Sequence, residues 1–167
     1  MALLTEIHRK LVATRTSALD LSTPTDALDV RDVYQLSSGT GLNAADMMWS
    51  DRRTLAASAT EDLDLAASLT GAFGTTLTFA RIKYLLVKAL STNTNNVNVT
   101  RPASNGVPLF LAAGDGVPVL PGGFFEWLAP NAAGIAVTAA TGDLITFTNS
   151  SSGTSVIYDV VIIGASA

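Results

Sequence analysis

The chain has 167 residues, 48% hydrophobic and only 14% charged, with 14 acidic against 10 basic side chains and a net charge of −4. That length suits one domain with one core, and an acidic balance without a clustered basic face excludes nucleic acid as the expected partner. Cysteine is absent, which removes disulfides, thiolate metal sites and cysteine nucleophiles; no apolar run is long enough for a helical membrane span, and Glu6 interrupts the N-terminal apolar run as a secretion signal.

Residues 3–13 read as a short amphipathic helix. Leu4, Ile7 and Leu11 recur at i, i+3 and i+7, with Glu6, His8, Arg9 and Lys10 on other faces. Three turns are marginal alone and must dock, on the chain's own domain or on a neighbouring subunit. Ser22–Thr25 is a turn. Ala27–Leu36 is extended, with Leu28 and Val30 alternating and a bulge expected at Asp32, where the register breaks. Ser37–Asn43 is a loop, Met47–Leu55 follows it, and Asp62–Leu65 alternates with period two.

Leu77–Leu90 is a long apolar stretch without caps. Its length favours helix, but its Leu-Thr-Phe start and the lack of a 3.6 period favour a buried central strand. Asn93–Asn96 is a turn of residues that tolerate left-handed backbone, and it leads into the alternating Val97–Thr100. Beyond it, turn signals at Asn105-Gly106, Gly114–Gly116, Pro121–Gly123, Pro130-Asn131, Thr141–Asp143 and Ser150–Gly153 separate short strands. These strands are expected at Val107–Ala112, Val117–Leu120, Phe124–Leu128, Ile135–Thr138, Leu144–Thr148 and Ser155–Ile163. The last is apolar on both faces apart from Asp159, so it belongs in the middle of a sheet covered on both sides. The regular spacing implies an all-β, antiparallel β-sandwich of jelly-roll or Greek-key type. A short N-terminal helix and arm (1–26) precedes the sandwich domain (27–167).

No enzyme signature emerges. His8 is the only histidine, and no Gly-x-Ser-x-Gly elbow accompanies it. Glu61, Asp62 and Asp64, and likewise Asp46 and Asp51, could flank a glycosidic bond or ligate calcium, yet solvated strand edges account for them. Gly39–Gly41 and Gly114–Gly116 lack the helix and lysine of a phosphate loop. Trp49, Trp127, Phe124 and Phe125 could stack on sugars, although the alternation of Phe124–Leu128 places Phe125 and Trp127 together on a core-facing side. No catalytic, cofactor-binding or metal-binding residue is therefore assigned, and no cofactor is expected.

From Ala89 to the C-terminus only Arg101, Asp115, Glu126, Asp143 and Asp159 are charged. Typical globular proteins are about 25% charged, and a surface so poor in charge is expected to be covered by other protein. The segments Leu36–Gly41, Trp49–Ser58, Glu61–Leu65, Phe73-Gly74, Leu77–Lys83, Asn93–Val97, Pro121–Gly123 and Tyr158–Gly164 resemble small structural proteins of tailed bacteriophages. That resemblance implies a virion protein with a β-sandwich domain and carries over no functional site.

An acidic chain is ill suited to the DNA-filled interior. The expected role is a capsid decoration (cement) protein on the outer capsid surface, assembled in the host cytoplasm. Its partners would be the major capsid protein and copies of itself in a cyclic oligomer such as a trimer, with no nucleic acid and no membrane. Leu4, Ile7 and Leu11 are the expected inter-subunit contact. A tail-tip or baseplate component and a host-glycan-binding module are the alternatives.

Overall fold

A computed structural model describes residues 2–167. The elements, in chain order, are β1 (Thr5–Thr16), β2 (Thr25–Ser38), β3 (Ala44–Ala45), β4 (Met47–Leu55), β5 (Thr60–Asp64), β6 (Leu69–Thr70) and β7 (Thr76–Leu77). They continue with β8 (Arg81–Ala89), β9 (Val97–Thr100), β10 (Gly116–Val119), β11 (Phe124–Leu128), β12 (Ile135–Ala136), β13 (Leu144–Asn149) and β14 (Val156–Ala165). The described residues are all-β, with several antiparallel sheets and no helix.

The helix expected over residues 3–13 is therefore replaced by a strand. β1 pairs with β2 antiparallel without interruption from Thr5↔Leu36 to Thr16↔Thr25. Thr5, Ile7, Val12, Thr14 and Thr16 are β-branched, which suits a pleated ladder better than a marginal three-turn helix. The same unbroken register removes the bulge expected at Asp32. The hairpin spans residues 5–38.

Two larger sheets form the body. One runs β10-β9-β13-β5, and the other runs β11-β8-β14-β4, with β12 added alongside β8. They share one core, to which the first contributes Leu63, Val97, Val99, Val119, Ile145 and Phe147 and the second Trp49, Leu55, Leu85, Val87, Tyr158 and Ile162. The rings of Phe147 and Tyr158 stack across it at 4.8 Å, each ring coming from a different sheet.

β8 is the central strand expected within Leu77–Leu90, though it begins only at Arg81. β14 lies between β8 and β4, as its two-sided apolar pattern requires. Its inner residues Val156, Tyr158, Val160 and Ile162 sit in the main core. On its outer face Ile163 is buried in a second cluster with Ile7, Leu36, Ala45 and Tyr84. A register shift between Ile163 and Gly164 marks a bulge, where a Cβ on Gly164 would lie 2.1 Å from the Arg81 carbonyl oxygen.

Val107–Ala112 is not the strand expected there. Val107 is buried, and the following residues turn back so that Arg101 Nη1 donates to the Phe110 carbonyl at 3.0 Å. Pro108, which offers no ladder donor, sits where that strand would have needed one.

Candidate functional site

The feature that stands apart is the β1–β2 hairpin. Its base is tied to the body, with Thr5, Ile7 and Leu36 buried and Ile7 and Leu36 packed on Tyr84 and Ile163 of the outer face of the β8–β14 sheet. From residue 8 to residue 33 every residue is exposed. An isolated two-stranded hairpin is marginal in water, and this one extends roughly 25 Å past its base at about 3.3 Å per residue.

Opposed residues share a face, so pairing register sorts the side chains. One face carries Ile7/Tyr34, Arg9/Asp32, Leu11/Val30, Ala13/Leu28 and Arg15/Asp26, and the other carries His8/Val33, Lys10/Arg31 and Val12/Asp29. On the first face the apolar strip begins buried at Ile7 and continues outward as Leu11, Leu28 and Val30, which are 58%, 50% and 43% exposed. The turn at the tip adds Leu19 and Leu21, the latter almost fully exposed.

The three residues expected to act as one contact are thereby separated. Ile7 and Leu11 share a face of β1, but Ile7 is buried in its own subunit and Leu11 is open to solvent. Leu4 precedes the strand and is exposed. Leu28 and Val30, which complete the strip, belong by local pattern to a separate extended segment; only the long-range pairing brings them beside Leu11.

Between the hairpin and the body lies a groove of about 670 Å³, with Leu11 and Val30 on one wall and Leu86, Lys88 and Phe124 on the other. Arg9 Nε reaches across to Glu126 at 3.2 Å. Tyr84 is buried beside that carboxylate, and burial first, then Glu126, pushes its phenol up to about 12.

The carboxylates weighed as catalytic groups are individually engaged. Glu61 accepts hydrogen bonds from Arg53 Nε at 3.0 Å, Arg53 Nη2 at 2.5 Å and the Tyr158 hydroxyl at 2.6 Å. Burial alone would raise the Glu61 carboxyl, but these donors outweigh it and hold the group below its ordinary value. Burial and the neighbouring Glu61 push the Tyr158 phenol up. Asp62 accepts from Thr146 Oγ1 at 2.5 Å, Asp64 accepts from the backbone N–H groups of Ala66 and Ala67, and Asp46 accepts from the Ser166 N–H and hydroxyl. Asp51 pairs with Arg53 at 3.0 Å. Among the described residues no group of three or more His, Cys, Asp or Glu side chains is placed to hold a metal.

Trp49 is buried in the core, and Phe125 and Trp127 pack against it half-buried. Asn93, Asn95 and Asn96 are not left-handed; the non-glycine residues with positive φ are Asn43, Ser58, Asn105 and Ala140. Asn93 instead extends the ladder, donating to the Ile157 carbonyl at 2.8 Å and accepting from its N–H at 2.9 Å. Lys83 is fully buried, and its ammonium donates to the carbonyls of Gly41, Asn131 and Ala132. Burial and nearby Arg81 lower its pKa. A lone lysine in an apolar run gives no sequence signal for such a role, because its acceptors are distant in the chain.

No family model, no curated protein and no solved structure matches the chain.

Proposed function

We propose that this chain is a structural protein of a tailed-bacteriophage particle, a decoration protein that binds the outer capsid surface as a homo-oligomer and staples neighbouring shell subunits. The observation that carries the reading is the projecting hairpin, an apolar-striped arm that its own body leaves uncovered. Folding alone does not stabilise such an arm; a neighbour that buries Leu11, Leu28 and Val30 would, at about 25 cal/mol per Å² of apolar surface removed from water. Binding an assembled shell but not its dissociated subunits then stabilises the shell by mass action.

The body is consistent with this role. We read it as a jelly-roll sandwich: with β4, β5, β8, β9, β10, β11, β13 and β14 taken as strands one to eight, the sheet orders become 1-8-3-6 and 2-7-4-5. Two interleaved Greek keys give that arrangement, one used by viral capsid and lectin domains alike. Fold therefore does not choose between shell and glycan binding. The burial of Trp49 and the core packing of Trp127 favour the shell, since a sugar platform needs exposed indoles. Non-catalytic function is part of the proposal, supported by the engagement of each weighed carboxylate in a structural contact.

Quantitative mass spectrometry of purified particles tests the reading. Copy number comparable to the major shell subunit is expected. A small multiple of three or six would move the chain to the tail or a vertex, and absence from particles would overturn the proposal.

A further inference from the structure

The arm's charges are divided by strand. β1 carries Arg9, Lys10 and Arg15 against Glu6, whereas β2 carries Asp26, Asp29 and Asp32 against Arg31. On the apolar-striped face the division is complete, with both charged positions of β1 arginine and both of β2 aspartate. Each strand also keeps a free outer edge, apart from the short parallel pairing of Ser37 and Ser38 with β3. Unpaired edges are templates for another strand.

We infer that the arm's partner is a second copy of this chain, and that the β1 edge of one arm pairs antiparallel with the β2 edge of the next. This deepens the assembly reading above by naming the partner and the edges that meet. In the register already used inside the hairpin, Arg9 of one copy lies opposite Asp32 of the next, Leu11 opposite Val30, Ala13 opposite Leu28 and Arg15 opposite Asp26. The apolar strip then continues across the seam, bounded at each end by an arginine–aspartate pair.

The two-fold pairings centred on Val12 and on Asp29 are opposed by charge. A two-fold β1–β1 pairing centred on Val12 sets Arg9 against Arg15. A two-fold β2–β2 pairing centred on Asp29 sets Asp26 against Asp32 and Asp29 against itself. Like charges directly opposite each other in a ladder are destabilising. Both arginine–aspartate pairs of the striped face form only between unlike edges, because β1 contains no aspartate and β2 contains neither Arg9 nor Arg15; a contact between unlike surfaces is heterologous, repeating from copy to copy to give closed rings of three or more when the rotation closes.

The test uses the full chain, which has no cysteine of its own. Arg15→Cys and Asp26→Cys are made in separate preparations, and Leu11→Cys and Val30→Cys likewise, with circular dichroism confirming that each folds. Opposed residues of neighbouring strands come within disulfide reach. Mild oxidation of an equimolar mixture of the two partners of a level should give a disulfide-linked dimer, while each variant oxidised alone stays unlinked. Cross-linking of any of the four variants alone would overturn the inference in favour of a two-fold contact. Absence of cross-linking in the mixtures at both levels would overturn it outright. Because this is read on free protein, particle occupancy without cross-linking sinks only the arm pairing, and cross-linking without occupancy sinks only the capsid role.

Discussion

Glu61 joins the two sheets of the body, because it lies on β5 while its donors Arg53 and Tyr158 lie on β4 and β14. Substituting Glu61→Ala removes the acceptor of the buried Tyr158 hydroxyl, which costs about 1–3 kcal/mol. Arg53 retains Asp51, and its side chain is 31% exposed, so its loss adds at most about 1 kcal/mol. The expected total is about 1–4 kcal/mol. Tyr158→Phe removes donor and hydroxyl together and leaves Glu61 held by Arg53, so about 1 kcal/mol is expected.

The double variant should cost at least about 0.5 kcal/mol less than the sum of the two. Urea unfolding followed by tryptophan fluorescence and circular dichroism measures all three. A pH series adds an independent signature. The Glu61 carboxyl is lowered by folding, so its stabilisation is present above the ordinary value of 4.5 and is lost as pH falls from there through the folded value. The gap between wild type and Glu61→Ala should accordingly narrow below pH 4.5. A cost under about 0.5 kcal/mol for Glu61→Ala, the range of an ordinary surface change, or strict additivity in the double variant, would refute the inter-sheet clasp.

Other substitutions probe positions where the backbone or a buried charge decides. Gly164→Ala places its methyl 2.1 Å from the Arg81 carbonyl oxygen and 2.7 Å from the Phe79 ring, so a loss of about 2 kcal/mol or more is expected in thermal unfolding, within the range for overpacking. Lys83→Met deprives the Gly41 and Asn131 carbonyls of their shared donor, and about 1–3 kcal/mol should be lost, with limited proteolysis cutting first within residues 39–43 or 129–134. Phe147→Ala empties the stacked core position beside Tyr158 and should cost about 3–5 kcal/mol by the same unfolding assay.

The second half of the chain was the more legible. Between Val97 and Ala165 the turn residues fall close to the strand ends, and the two-sided apolar pattern of β14 places it correctly in mid-sheet. Local periodicity failed at the N-terminus for a definite reason. Leu4, Ile7 and Leu11 satisfy a helical spacing, yet Ile7 and Leu11, four apart, also satisfy a strand's period of two. What decides between them is the pairing of Thr5 with Leu36, which no window of a dozen residues can contain. Asp32 looked like a break in register because its partner is a cation, Arg9, on the other strand. Lys83 and Asn93 were invisible as structural groups for the same reason: the carbonyls they serve arrive from distant parts of the chain.

Leu11, Leu28 and Val30, the strip we propose is covered by other protein, contribute nothing to the main core. The most direct measurement compares particle occupancy of the wild type with that of the triple serine variant, alongside the melting temperature of each free protein. The variant should melt within a few degrees of wild type and be missing from purified particles. Wild-type occupancy by a variant with its apolar strip removed would contradict the proposal.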